Sequence, residues 1–389
     1  MGREKGQGAS PGSSARGVRM RRCVFVAMLA GCGPLADARG PDAGFGPSGT
    51  SSEMVGACAV CDMRVDSLGS LLDPYVSWRS ASIVARDAGG QEQVLIAPAG
   101  ERFSFTMVDN GFHSPRLYGE RGEGPGEFNG IRAVTGYRGD SLAILEAVEV
   151  SIVGTSSLRG RKVRLPSRVQ AFSMGVVSDS LLLFNSYAPA SPLVAVVGPD
   201  GSTIAKVDTL LSGTTSLSRD PDERSVFVLP APGERFVVLP ARFRFGVEMW
   251  SIAGVPIGTV PVNPEWFVPW DAKAQADERA SPQGRALTFL LDARVDDQNR
   301  LWLLGRIGDQ NHPADLPAPT LPDGSTDWDR WLDTVIEVYD LGSGGRLGHL
   351  RTDLHYSGFV GEAGLYRRWN TADGLPSVSF YQLSYAIVE

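Results

Sequence analysis

Residues 119–128 read Gly-Glu-Arg-Gly-Glu-Gly-Pro-Gly-Glu-Phe, and this decapeptide says most about the fold. Four glycines, a proline and a closing aromatic do not build a helix or a regular strand. Glycine adopts backbone conformations that other residues avoid, and proline removes a hydrogen-bond donor. The run therefore predicts a structured turn or loop. Three glutamates within it argue against a phosphate-binding loop, because their charges repel an anion.

The chain around this loop contains a repeated strand pattern. Each copy has a polar turn, an alternating apolar strand, a gap and a second strand. Clear copies occupy residues 139–153, 178–197, 233–252 and 297–340, and a weaker one occupies 82–105. Their spacing of roughly 40–65 residues suits propeller blades of about four strands. A small sheet cannot bury its apolar face alone, so neighbouring copies must stack on it.

The last repeat is expected between Tyr356 and Glu389, with strands near 376–381 and 383–388. Its position allows it to close a ring with a strand from the start of the domain. The alternative, a β-sandwich with extra strands, explains five copies along one chain less well. We predict an all-β fold, a six-bladed β-propeller of roughly four-stranded antiparallel blades, over residues 54–389.

The decapeptide also closely resembles the G-x-x-G-x-G-P-G-E-F signature of bacterial six-bladed β-propellers related to the NHL-repeat family. The matching positions are Gly119, Gly122, Gly124, Pro125, Gly126, Glu127 and Phe128. The resemblance implies the same architecture but no reaction, since one fold serves many functions. Some propellers of this kind are calcium- or zinc-dependent lactonases or lyases.

The N-terminal leader predicts export and a lipid anchor. Arg21 and Arg22 precede an apolar run at 23–30, and a small residue follows, as in a secretory signal. The tetrad at 29–32, Leu-Ala-Gly-Cys, resembles a bacterial lipobox. The resemblance implies a signal peptide over 1–31 and lipid attachment at Cys32. Residues 32–53, rich in Gly, Pro, Ala and Ser, predict a flexible tether. The expected location is extracytoplasmic, lipid-anchored in the cell envelope.

Cys58 and Cys61 form a Cys-x-x-Cys pair at the start of the domain. A structural zinc site needs two more ligands, and the other two cysteines lie in the leader. A small disulfide, or two thiols at the start of the domain, is the favoured interpretation. A periplasmic redox module is the alternative. Many propellers of the resembled family have a similar pair followed by Leu-Gly, here at 68–69.

Two segments interrupt the repeats and predict a binding face. Residues 263–284 include Trp266, Trp270 and a short helix near 273–279, and residues 308–331 include Trp328 and Trp331. Long loops in a compact domain are often functional. These four tryptophans are the candidate binding residues, although aromatic residues that cap a blade are commoner.

No catalytic set emerges from the sequence, and the catalytic residues stay unknown. The four histidines have no metal spacing, and no nucleophile elbow or phosphate loop occurs. The net charge of −7 argues against nucleic-acid binding. The favoured function is a non-catalytic envelope propeller that binds a peptide, protein or glycan, without a cofactor and with membrane contact through the lipid alone. The alternative is an extracytoplasmic hydrolase or lyase with a divalent metal in the central channel, where oxygens of residues such as Asp297 and Asn299 would converge.

Overall fold

The computed structural model describes residues 60–72, 78–86, 92–98, 104–108, 116–155, 157, 159–166, 171–178, 181–186, 191–213, 226–240, 246–267, 288–309, 311–312, 316, 318–320, 327–360, 364–370 and 376–387. The predictions of a signal peptide, a lipobox, a tether and a helix near 273–279 fall outside these residues, as do Cys58 and Trp270. Cys61 is in a strand, where it lies opposite Ala386.

Within these residues the chain is all-β, and its strands form six four-stranded antiparallel sheets. Sheet 1 comprises β2 (Trp78–Arg86), β3 (Glu92–Pro98), β4 (Phe105–Val108) and β5 (Arg116–Tyr118). Sheet 2 comprises β8 (Ala133–Tyr137), β9 (Ser141–Leu145), β10 (Glu149–Gly154) and β11 (Gly160–Arg164). Sheet 3 comprises β12 (Ala171–Val177), β13 (Leu181–Ser186), β14 (Val194–Val197) and β15 (Thr203–Val207).

Sheets 4 to 6 continue the same meander. Sheet 4 comprises β16 (Val226–Ala231), β17 (Arg235–Pro240), β18 (Val247–Ser251) and β19 (Pro256–Val260). Sheet 5 comprises β20 (Phe289–Val295), β21 (Arg300–Gly308), β22 (Leu332–Asp340) and β23 (Arg346–Thr352), and helix α1 (Trp328–Trp331) precedes β22. Sheet 6 comprises β24 (Gly358–Val360), β25 (Gly364–Asn370), β26 (Pro376–Ile387) and the N-terminal β1 (Val60–Leu72). A two-stranded parallel pair, β6 (Glu120–Arg121) and β7 (Glu127–Phe128), lies between sheets 1 and 2.

The sheets stack face to face, and the core lies between them. Successive side chains of a strand point to opposite faces. In β21, Leu301 and Leu303 therefore pack against sheet 4, whereas Trp302 and Leu304 pack against sheet 6. All four are fully buried. Burial on both faces explains why these strands are continuous apolar runs.

The first strands of the sheets follow one another in a closed cycle. Contacts join β2 to β8, β8 to β12, β12 to β16, β16 to β20, β20 to β24, and β24 back to β2. This cyclic order is a β-propeller arrangement with the first strands innermost. The N-terminal β1 pairs with the C-terminal β26 over most of their lengths, which confirms that a strand from the start of the domain completes the last sheet.

Strand direction determines which connections share an edge. Because the strands alternate in direction, the start of the first strand, the connection from second to third strand and the end of the fourth strand lie at one edge of each sheet. We call this edge the upper face. The described ends of both long segments, around residues 261–288 and 309–331, therefore lie at the upper face.

The strands predicted from the sequence are wrong in two places. The two C-terminal strands expected at 376–381 and 383–388 are one strand, β26, because Gln382 pairs with Asp66 on one side and Gly364 on the other. The repeat pattern also missed β3 and β25 as separate strands. The clear repeats correspond to second and third strands, which are the most apolar because both of their faces are covered.

Candidate functional site

The decapeptide forms a loop that its own backbone closes. The N–H of Glu120 donates to the carbonyl of Gly126 at 3.2 Å, and the N–H of Gly122 donates to the carbonyl of Phe128 at 3.4 Å. The Glu127 carboxylate accepts from the N–H of Gly124 at 2.9 Å. The prediction of a structured loop is confirmed. These internal bonds hold the shape of the loop, which joins sheets 1 and 2.

Phe128 anchors the end of this loop. Its side chain is buried, and its ring centroid lies 6.1 Å from that of Phe105 on β4. Glu120 and Glu123 remain exposed. The glycines serve the loop's shape, and the aromatic ties it to the core between sheets 1 and 2.

Trp266, a candidate binding residue, packs inward. Its indole Nε1 donates to Oε2 of Glu337 at 2.8 Å, and its ring stands edge-on to Phe267 at 5.8 Å. The ring lies so close to Gly305 on β21 that an added Cβ would be 2.3 Å from it. Gly305 is thus required by the close approach of the tryptophan, which covers the edge of sheet 5.

A buried glutamate holds this tryptophan in place. Glu337 on β22 also accepts from Tyr339 at 2.7 Å, from Arg346 at 3.1 Å and from the His349 ring at 3.1 Å. Burial alone would raise the pKa of Glu337, but the hydrogen bonds from His349, Tyr339 and Trp266 outweigh it and lower the pKa. Glu337 is therefore an ionised anchor for the segment that enters sheet 5.

Two other buried glutamates hold connections between sheets. Glu248 on β18 accepts from the backbone N–H groups of Leu211 and Ser212 at 2.9 and 2.8 Å, and from the Trp250 indole at 3.2 Å. Glu146 accepts from the N–H of Asn129 at 2.7 Å. The sequence reading missed these residues. Two of these three buried glutamates share a sequence pattern that could have identified them. On the third strand of a sheet, a glutamate is followed two positions later by an aromatic hydrogen-bond donor, as in Glu248 with Trp250 and Glu337 with Tyr339.

Trp328 and Trp331, the second candidate pair, lie on α1 at the upper face. The Asp327 side chain caps the helix by accepting from the N–H of Arg330 at 3.3 Å. The two indole rings lie 5.3 Å apart and are tilted by 37°. The Nε1 atom of Trp328 is buried and has no hydrogen-bond partner. The next residue on α1, Asp329, belongs to a group of charged residues.

We call this group the arginine cluster: Arg306, Arg367, Arg368, His355 and Asp329, from four different elements of sheets 5 and 6 and their connections. Arg367 on β25 donates from Nη2 to Oδ2 of Asp329 on α1 at 2.6 Å. The other oxygen of Asp329 accepts from the backbone N–H of His355 at 3.2 Å. The guanidinium carbon of Arg306 lies 4.2 Å from the centre of the Phe289 ring. The cluster thus joins the upper ends of both sheets.

The His355 imidazole is buried and neutral. Burial, reinforced by the positive charges of Arg306, Arg367 and Arg368, lowers the pKa of His355 to about 3. Burial also raises the pKa of Asp329, against the influence of Arg367. The charges acting on His355 are therefore positive.

A second ion pair lies beside the arginine cluster. Asp333 at the start of β22 accepts from Nε of Arg351 at 2.6 Å, and Arg351 also donates to the carbonyl of Gly308 at 3.1 Å. Burial raises the pKa of Asp333, although Arg351 opposes this. This pair fixes the end of the 309–331 segment against β23.

Asp292 and Arg294 lie on the inner strand β20 between sheets 5 and 6. Asp292 accepts from the N–H of Phe359 on β24 at 2.8 Å. Burial raises the pKa of Asp292 to about 6. The guanidinium of Arg294 lies within 4.9 Å of the Trp302 ring and 4.8 Å of the Phe359 ring. These contacts tie the two innermost strands together.

The described residues contain no group of three or more His, Cys, Asp or Glu side chains placed to hold a metal ion. Of the turn oxygens considered from the sequence, Asp297 is exposed, and Asn299 has a positive φ of 61° and accepts from Arg235 at 3.2 Å. A channel metal and the activity it would serve remain predictions, as does the pairing of Cys58 with Cys61.

Comparisons with solved structures find distant similarities. The Pan2 WD40 domain of Neurospora crassa is 11% identical, with 86% of this chain and 99% of that chain covered and a TM-score of 0.41. Virginiamycin B lyase from Staphylococcus aureus is 8% identical, with 83% and 100% covered and a TM-score of 0.46. A chain of the mitotic checkpoint complex is 11% identical, with 87% and 96% covered and a TM-score of 0.43.

These similarities are too distant to bear on activity, ligand or partners. No protein-family model matches the sequence, and no curated protein matches it. Across the part of the chain that the structure describes, no helix is long and apolar enough to span a membrane.

Proposed function

We propose that this protein is a lipid-anchored, six-bladed propeller of the bacterial cell envelope that binds a peptide, protein or glycan without catalysing a reaction. Six four-stranded sheets whose first strands contact one another in a closed cycle support the blade count. The lipobox at 29–32 supports the anchor and the location.

The observation that carries the binding role is the composition of the upper face between sheets 5 and 6. The indoles of Trp328 and Trp331 lie on α1, a connection at this face, and Asp329 of the same helix pairs with Arg367 on β25. The positive charges of Arg306, Arg367 and Arg368 all act on His355. Aromatic and arginine side chains contribute most to binding energy at protein interfaces. A rigid scaffold that presents such connections is a common arrangement for recognition.

Site-specific photo-cross-linking in whole cells tests the binding face. A photo-reactive amino acid replaces Arg330, which is exposed on α1, or Asp297, which is exposed at the opposite edge of the same sheet. We expect a discrete adduct from position 330 and none from position 297. Equal adducts from both positions, or none from position 330, would contradict a partner on the upper face.

The anchor has its own test. Replacing Cys32 by Ala removes the acceptor of the lipid, so the variant should leave the membrane fraction while keeping the melting temperature of the native protein. Fractionation of cells that express each form measures this. A variant that stays in the membrane fraction would rule out Cys32 as the anchor.

A further inference from the structure

Unpartnered polar atoms concentrate at the arginine cluster. Nδ1 of His355, Nε of Arg367 and Nε1 of Trp328 are all buried without a hydrogen-bond partner. His355 is only 9% exposed. Native proteins leave few buried polar groups unsatisfied, and each such group calls for a specific explanation. Asp329 bonds to both His355 and Arg367, and Trp328 precedes Asp329 on α1. Unpartnered atoms on residues linked in this way point to a group that the protein binds there.

The chemistry of these atoms indicates what that group is. The indole Nε1 and the guanidinium Nε are donors only. The neutral His355 ring has one nitrogen that donates and one that accepts. The surrounding charges of Arg306, Arg367 and Arg368 are positive at the histidine. A donor-rich, positively charged, half-buried site complements an acceptor-rich anion.

The cluster's own carboxylate does not fill this role. Asp329 bonds to Nη2 of Arg367 through Oδ2 and to the backbone N–H of His355 through Oδ1. Asp333 is bonded to Arg351 through Oδ2, and its Oδ1 is buried without a hydrogen-bond partner. Neither carboxylate accepts from Nε1 of Trp328 or from Nε of Arg367, so both donors stay unmatched.

We propose that the arginine cluster binds an oxyanion, a carboxylate or phosphate group carried by the partner. Guanidinium groups present paired N–H donors that match both anions. The Trp328 indole would donate to the same group. This inference rests on the proposed binding role of the upper face, and it adds the chemical class that the face recognises.

The test is thermal unfolding of the full-length protein in increasing sodium acetate, phosphate or sulfate, with ionic strength held constant by sodium chloride. An anion that binds only the folded state raises the melting temperature in a saturable way. Four variants are compared with the native protein. Arg368→Gln removes a charge of the cluster, and Arg368→Lys keeps the charge but loses the paired N–H donors of the guanidinium. Trp328→Phe removes the indole donor but keeps an aromatic ring. Arg330→Gln is the control, because it removes an exposed charge one residue from Asp329.

We expect a saturable rise in the native protein and in Arg330→Gln. In Arg368→Gln the half-saturating concentration should increase about tenfold, because one of the three positive charges that act at His355 is lost. Trp328→Phe and Arg368→Lys should show smaller increases. Melting curves without added anion show whether each variant folds. If Arg368→Gln does not fold, Arg368→Lys and Trp328→Phe test the site in its place. Acetate alone acting identifies a carboxylate, and phosphate or sulfate acting identifies a phosphate-like group.

The inference is overturned if no anion gives a saturable rise, or if Arg368→Gln and Trp328→Phe respond as the native protein does. Failure of the proposed function is a separate result. An adduct from position 330 without any anion effect leaves the binding face standing and removes the oxyanion site. An anion effect without an adduct from position 330 leaves the oxyanion site standing and removes the binding face.

Discussion

At the scale of single residues, Glu337 offers the sharpest test of how the upper part of sheet 5 is held. Glu337→Gln keeps the size but loses the charge that Arg346 and His349 contact at 3.1 Å. We expect a loss of about 1–3 kcal/mol in the free energy of unfolding at pH 7, as for weakened buried hydrogen bonds. Because the pKa of Glu337 is lowered in the folded protein, this contribution is present above the ordinary glutamate pKa and fades as the pH falls below it.

Urea unfolding at pH 7 and pH 4 measures this difference. Glu265→Gln is the matched control, since Glu265 also lies near Arg346, at 3.9 Å, but is 85% exposed. Its effect should stay within about 0.5 kcal/mol. An equal loss in both variants would mean that the buried glutamate is not an anchor.

A second prediction at the residue scale concerns His355 and the pH dependence of the free energy of unfolding. Its folded pKa is about 3, against an ordinary value of 6.5. Below pH 6.5 the unfolded chain takes up a proton that the folded protein does not, so stability falls as the pH decreases. This should cost about 2 kcal/mol between pH 7 and pH 5. In His355→Asn that part of the loss should vanish, whereas at pH 8 the same variant measures the substitution alone. An unchanged slope would contradict a buried neutral imidazole.

At the scale of elements, the decapeptide loop depends on glycine for space as well as for backbone shape. Gly122 has a positive φ of 156°, and an added Cβ would lie 1.8 Å from Oε2 of Glu127. Gly130 also has a positive φ, of 134°, but an added Cβ would meet nothing within 4 Å. We expect Gly122→Ala to lower the free energy of unfolding by about 2–3 kcal/mol and Gly130→Ala by about 1 kcal/mol. Chemical denaturation measures the free energy of unfolding of both variants. If Gly130→Ala is as unstable as Gly122→Ala, backbone strain alone explains the loss and the space next to Glu127 does not matter.

The sequence predicted elements where local chemistry dominates. The decapeptide was recognisable as a loop, and the second and third strands of sheets 2 to 5 were visible because Leu301–Leu304 and similar runs are buried on both faces. The strands β3 and β25 were missed because β3 begins with Glu92 and Gln93 and β25 contains Arg367 and Arg368. Polar residues on such strands conceal the alternation that identifies a strand.

The candidate site could be predicted only in part, because it depends on contacts between distant residues. Tryptophans in the long segments were visible, yet Trp266 proved to pack on Gly305, while Trp328 precedes Asp329, whose carboxylate pairs with Arg367. Nothing in the sequence brings Asp329 to Arg367, which lies 38 residues away. That contact arises only when sheets 5 and 6 stack.

At the scale of the whole molecule, stability should depend on how the first and last strands close the ring. Ser70 on β1 lies opposite Ser379 on β26, and their hydroxyl oxygens are 2.7 Å apart. Replacing both by cysteine should form a disulfide that joins residues 309 positions apart. In the chain-entropy account a loop this long stabilises the folded state by up to about 5 kcal/mol.

The oxidised and reduced forms of this double variant provide their own comparison. We expect the oxidised form to unfold at a clearly higher urea concentration, because β1 can no longer separate from β26. Peptide mapping confirms that the new cysteines have paired with each other rather than with Cys58 or Cys61, and Ser70→Cys alone controls for the lost hydroxyl. If the paired bond forms and the two unfolding midpoints coincide, separation of β1 from β26 is not part of unfolding. In that case, the ring would be held mainly by stacking between successive sheets.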